Sequence, residues 1–151
     1  MAIRKEYGEC KEKGQLIETG VPDKNMAKEL LNLTEHRKNF WEELEKNPEY
    51  PKKYPSLFLE GYYEIIKELL TAILLLDGWK ATNHECLFAY IKENYKDKLE
   101  MDTEFLLELK DLRNNIDYRG VMVSFEKWNN SKLRIKTEIK ALREHINERI
   151  E

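Results

Sequence analysis

The sequence predicts an all-α fold, an up-and-down bundle of about five helices, on three observations. Glu, Lys and Leu dominate a composition that is 36% charged and 41% apolar, only six Gly and four Pro are present, and apolar residues recur three and four apart along most of the chain. The first is the composition of helices with solvated outer faces, the second leaves too little turn material for an all-β fold, and the third is the period of one helical face. A chain of 151 residues fits one domain, long enough to bury a core without metals or disulfides.

Residues 1–22 are polar and glycine-punctuated, anchored only by Leu16, Ile17 and Val21. They are expected to form a loose arm or a short docked turn ahead of a single helical domain over 23–151. Pro22-Asp23 starts the first helix, whose inward face is read as Met26, Leu30, Leu33, Phe40 and Leu44, and Asn47-Pro48 ends it. Pro48, Pro51 and Pro55 enclose a loop in which Tyr50, Lys52, Lys53 and Tyr54 mix aromatic and basic groups, a combination suited to stacking on single-stranded bases.

Ser56 is the expected cap of a second helix that ends at Asp77-Gly78. Leu59, Tyr62, Ile66, Leu69, Ile73 and Leu76 form its stripe, and Tyr63, Ile65, Leu70, Leu74 and Leu75 widen it, which predicts a central helix covered on more than one side. Thr82 or Asn83 caps a third helix through about Lys98, with Leu87, Tyr90, Ile91 and Asn94-Tyr95 inward; Asp102 opens a fourth, with Phe105, Leu109, Leu112 and Ile116 inward, and Gly120 closes it. Ser124 caps the last, along which Trp128, Ile135, Ile139, Leu142, Ile146 and Ile150 align. Short connections between long helices predict antiparallel neighbours.

Cys10 and Cys86 stand far apart and form neither a CxxC pair nor a Cys/His cluster, so neither a zinc site nor a disulfide framework is expected, and no cofactor is implied. The first residues carry no apolar leader, and the longest greasy run, 69–76, is too short to span a bilayer, so a cytoplasmic protein with no membrane partner is expected. A net charge of −3 lacks the basic surplus that usually accompanies nucleic-acid binding. There is no Gly-rich phosphate cradle, HExxH or GxSxG, and Glu60 and Glu64, four apart, lack the Glu-x-x-His pairs of a bundle metal site.

The segment from Leu112 through Arg113, Asn114, Asn115, Ile116, Asp117, Tyr118 and Arg119 to Gly120, between a predicted helix and a last long one, resembles the signature of the HEPN family. Gly61 to Leu69, the turn Leu76-Asp77-Gly78 and the helix start His84-Glu85-Cys86-Leu87 are similar to the central helix, glycine turn and next helix of that family. The resemblance spans about residues 23–150. It implies a helical bundle that commonly dimerises, found in toxin, antiviral and RNA-processing proteins. Many members are metal-independent endoribonucleases, and others are inactive RNA- or nucleotide-binding domains. Arg113 and Asn114 match the motif by position, while Tyr118 fills the place of its histidine.

Cleaving RNA through its own 2′-hydroxyl takes a base, an acid for the leaving oxygen and a cation for the phosphorane. Arg113 is the cation. A phenol is almost wholly protonated near neutrality, so Tyr118 fits a donor or positioning role better than a base. Five residues along an unbroken helix place Arg113 and Tyr118 roughly 140° apart, so they share a pocket only if the helix unwinds or a second subunit completes the site. The alternative is structural: Arg113 pairs with Asp117 one turn on, and Tyr118 is a helix-end aromatic.

His84, at a helix start beside Glu85, is the best substitute for the missing imidazole, or else an ordinary capping or surface residue, while His36 and His145 read as solvated. On the last helix, Lys132, Lys136, Lys140 and Arg143 form a basic stripe within a stretch of six basic residues and the single acid Glu138. Such a stripe suits a phosphate backbone, an acidic partner or plain solvation. The leading expectation is therefore an RNA- or nucleotide-binding homodimer, with or without endoribonuclease activity. The rival is a non-catalytic interaction domain that holds a nucleotidyltransferase-type antitoxin.

Overall fold

The computed structural model describes residues 6–96 and 102–151. In order, the elements are α1 (Tyr7–Glu12), β1 (Leu16–Glu18), α2 (Lys24–Glu45), α3 (Glu49–Lys53), α4 (Pro55–Asp77), β2 (Trp79–Ala81), α5 (His84–Tyr95), α6 (Thr103–Arg119) and α7 (Phe125–Ile150). The five predicted helices are α2, α4, α5, α6 and α7, and the fold is an all-α bundle. The predicted end of the third helix near Lys98 lies outside the described residues.

Local capping chemistry explains most boundaries. The side chains of Asp23, Asn83, Asp102 and Ser124 accept hydrogen bonds from the backbone N–H of Met26, Cys86, Phe105 and Lys127, answering donors that the first helical turn leaves unpaired. Gly78 and Gly120 end α4 and α6 in the left-handed conformation, with φ of 79° and 65°. Ser56 is not the cap of α4. Pro55 occupies the first turn, and the Ser56 hydroxyl instead accepts the Val123 N–H at 2.8 Å, tying the α6–α7 connection to the foot of α4.

Helix α4 is the central element. Every apolar residue predicted for its stripe and flank is buried, and it packs against α2 and α7 most extensively and against α5 and α6 as well. Asp23 N–H donates to Leu75 C=O at the far end of α4, and Trp41 lies against Gly61 near its start, so α2 and α4 run antiparallel. Trp128 packs on Phe58 and Tyr62 with ring centroids 5.8 and 5.3 Å apart, while Arg149 reaches Asp77, so α7 runs parallel to α4.

The antiparallel rule fails for α4 and α5. Strand β2 carries the chain back along α4, so that His84 meets Tyr63 near the start of α4 while Tyr90 and Tyr95 reach Asp77 at its end. Strand β2 is held by an antiparallel pairing with β1, with Leu16 opposite Ala81 and Glu18 opposite Trp79.

Three expectations are corrected. Cys10 and Cys86 are bonded, with their Cα atoms 5.7 Å apart, so residues 7–18 are docked as a helix and a strand rather than left as a loose arm. The inward face of α2 is centred on Ala27, Leu31 and Thr34; of the predicted stripe Leu30 and Leu44 pack half-buried against the core, while Met26, Leu33 and Phe40 are exposed. His145 is half-buried, with its ring edge-on to Tyr95, and burial lowers its proton affinity. Among the described residues no helix is long and apolar enough to cross a membrane.

Candidate functional site

Helices α4, α5 and α6 converge on Tyr63. From α5, Nδ1 of His84 lies 3.1 Å from the Tyr63 hydroxyl; from α6, the Arg113 guanidinium stands 5.8 Å from the centre of the Tyr63 ring. The return strand β2 makes this meeting possible, because it sets the first residue of α5 beside the first half of α4. Burial pushes the Tyr63 phenol above its ordinary range, so the hydroxyl stays protonated; it donates to Nδ1 in the tautomer that carries the ring hydrogen on Nε2 and accepts from Nδ1–H in the other. Burial, then the charges of Lys67 and Arg113, hold His84 below its usual value and keep the ring neutral near pH 7.

Arg113 is engaged within its own helix. Its Nε donates to Asp117 at 2.9 Å and a terminal nitrogen to Asn114 Oδ1 at 3.4 Å, which is the structural alternative foreseen for it. Asp117 in turn faces Glu60 of α4. Burial, then the charge and hydrogen bond of Asp117, raise the Glu60 carboxyl, and Arg113 opposes that rise. Behind them the side chain of Lys110 is 1% exposed and is paired with Glu85 at 3.6 Å. The surroundings are thus mixed in sign: Lys67, Lys110 and Arg113 meet Glu60, Glu64, Glu85 and Asp117.

Tyr118 does not join this cluster. Helix α6 continues unbroken to Arg119, so the foreseen divergence holds, and Tyr118 is 76% exposed, with Val121 and Met122 also exposed just beyond it. Of the basic stripe, Lys136 is spent on Glu45 and lies 5.6 Å from the Tyr62 ring centre, and Arg143 binds Glu35 and the Thr34 hydroxyl. Both therefore link α7 to α2. Lys140 is exposed and Lys132 half-buried on the same helix. The predicted proline-rich loop is instead the short helix α3, and Tyr50 and its C-cap Tyr54 pack on each other, with Lys53 over the Tyr54 ring.

The structure therefore gathers Arg113, Asn114 and His84 and separates them from Tyr118 and the α7 cations. Sequence reasoning missed Tyr63 as the hub, because it reads simply as part of the apolar flank of α4. It also missed the knot in which Tyr90 and Tyr95 donate to Asp77 Oδ2 at 2.8 and 2.6 Å while Arg149 binds Oδ1 at 2.7 Å. Among the described residues no group of His, Cys, Asp and Glu side chains is placed to hold a metal ion. Comparison with protein-family models, with curated proteins and with solved structures finds no match, so the functional reading rests on this chemistry and on the motif resemblance.

Proposed function

We propose that the chain is a HEPN-like domain that acts in the cytoplasm as a homodimer and binds RNA or a nucleotide at the seam between its copies. Arg113 holds phosphate, Asn114 orients it, and Tyr118 of one copy, turned away from its own Arg113, serves the other as donor or positioning group. One observation carries this reading: Arg113 and a neutral His84, from different helices, meet at the Tyr63 side chain. A cation for a phosphorane and an imidazole able to take a proton near neutrality thereby stand in one neighbourhood, although the motif itself lacks histidine. An endoribonuclease form of this reading uses His84 as the base, in the tautomer whose Nδ1–H donates to the Tyr63 oxygen and leaves the Nε2 lone pair free.

The test incubates metal-free protein with structured and single-stranded RNAs and compares Arg113→Ala with the wild type. Binding by the wild type and a loss of about tenfold or more in Arg113→Ala is expected, since a charge-assisted contact contributes roughly 1.5–3 kcal/mol. A 2′,3′-cyclic phosphate product marks the enzyme form. Equal binding by the two proteins, or a monomer at all micromolar concentrations, rejects the proposal.

A second reading, a non-catalytic domain partnering a nucleotidyltransferase-type antitoxin, is favoured by the outer face of α2. Met26, Leu33 and Phe40 recur seven apart there and are all exposed, Phe40 by 57%. Co-purification with such a chain, lost in Phe40→Ser, supports it. RNA recovered without protein counts against it.

A further inference from the structure

We propose that the half-open cavity bordered by α4, β2, the start of α5 and Met26 of α2 binds a small organic anion with an aromatic or aliphatic body. The cavity measures about 370 Å3, inside the range of roughly 300–1,000 Å3 typical of small-molecule sites. Leu74, Leu87 and the half-buried Trp79 supply apolar wall, suited to a ring or a short chain. Among the described residues its titratable lining groups are Lys67, Lys80 and His84, and no acid lines it.

That charge pattern selects the ligand. The chain as a whole carries a net charge of −3, so a cavity lined by two lysines and no carboxylate reverses the sign of the bulk surface. Lys67 is held at the wall by Glu64, which is not itself a lining residue, whereas the Lys80 side chain is exposed and able to close over a bound anion. His84 contributes a hydrogen-bonding group rather than a charge: Tyr63 engages Nδ1, and in the tautomer with its hydrogen on Nε2 that N–H is left for a ligand oxygen. The amino end of α5 adds the positive pole of its dipole to this set.

The cavity is built into the fold. Strand β2 forms one wall because it pairs with β1, and β1 is fixed by the Cys10–Cys86 bond that anchors the preceding α1 to α5. At the hinge, Gly78 lies so close to Gly20 and Val21 that a Cβ there would stand 3.3 Å from the Val21 nitrogen. The wall therefore holds its place without a ligand, which lowers the ordering cost of binding. This inference does not rest on RNA recognition at Arg113.

The probes are 1-naphthaleneacetate, 1-naphthyl phosphate and the neutral 1-naphthaleneacetamide, titrated into the full chain by calorimetry and by the Trp79 indole N–H resonance, assigned with Trp79→Phe. At least one anion is expected to bind about tenfold more tightly than the amide and to shift Trp79. Lys67→Gln with Lys80→Gln should bring anion and amide to within about twofold while leaving the amide unchanged. Lys80→Glu, a surface charge reversal that leaves the Lys67–Glu64 pair intact, should weaken the anion in the same direction. Equal affinity for anion and amide, no binding by millimolar concentration, an unmoved Trp79 resonance, or lysine variants that bind as the wild type would each overturn the proposal.

Discussion

The Tyr63 hydroxyl lies 3.1 Å from Nδ1 of His84, 21 residues further along the chain. In the tautomer with its ring hydrogen on Nε2 the protonated phenol donates to the neutral ring and stabilises that form, beside the burial and the Lys67 and Arg113 charges that hold His84 low. Tyr63→Phe removes that donor and leaves the other causes in place, so the pKa of His84 is expected to rise by only part of its shift, read from the pH titration of its ring protons by NMR. The same change should cost about 1 kcal/mol of stability, the loss of one partly buried hydrogen bond. An unchanged titration would mean that the hydroxyl is not the donor.

Stability should fall as pH drops below neutrality. His84 and His145 are both held below their usual value by burial first, so the fold binds fewer protons at these sites than the unfolded chain does. Their contribution is full above about pH 6.5 and is lost as pH falls through their lower folded values. Glu60, Glu68 and Glu138, raised by burial, work in the opposite direction in the acid range above the ordinary carboxylate value. Urea unfolding at pH 7.5 and 6.0 should therefore show the histidine effect, and His84→Gln and His145→Gln should each flatten it. A slope that survives both substitutions assigns the effect elsewhere.

What the sequence made legible was the part of the fold written in short range. Asp23, Asn83, Asp102 and Ser124 cap the helices they precede because capping needs only three residues of context. Pairing of Leu16–Glu18 with Trp79–Ala81 and bonding of Cys10 to Cys86 join segments more than sixty residues apart, where no local pattern reports contact. The face of α2 was misread for a related reason. Met26, Leu33 and Phe40 are more apolar than Thr34, yet α2 is turned by the fit of Trp41 over Gly61, and the larger side chains face outward. Arg113 and Asn114 stood out through the motif. Their meeting with His84 depends on the return path of β2, which no spacing reveals.

Gly61 sits inside α4, where alanine would ordinarily favour the helix by up to about 1 kcal/mol. Here a Cβ would fall 2.1 Å from the Trp41 ring, so one of the two helices has to move. Gly61→Ala is expected to destabilise by about 1–3 kcal/mol, the usual cost of overpacking a core. A melting temperature at or above that of the wild type would show that α2 yields freely.

The Cys10–Cys86 bond closes a loop with a sequence separation of 76. Loop-closure entropy for that length corresponds to about 4.5 kcal/mol of stability, an upper figure because unfolded chains keep some structure. Reduction, or Cys10→Ser with Cys86→Ser, should lower the unfolding free energy by up to that amount. It should also release α1 and β1 first, seen as faster amide exchange in residues 7–18 than in α4. In a reducing cytoplasm the same two thiols would leave this corner as the weakest part of the fold.

Asp117 occupies the guanidinium that the RNA reading needs, and the two groups are joined at 2.9 Å. Asp117→Asn removes the competing charge, but it also removes the carboxylate that raises Glu60. Glu60 would then ionise more readily and become a fresh partner for Arg113, so the single change should raise phosphate affinity only slightly. Combining Asp117→Asn with Glu60→Gln leaves Arg113 without either acid, and RNA affinity is expected to rise by about tenfold, the magnitude of one charge-assisted contact. Filter binding at fixed salt measures it, since a contact to phosphate also steepens the salt dependence. If the double variant binds RNA no better than the wild type, Arg113 serves the α4–α6 contact alone.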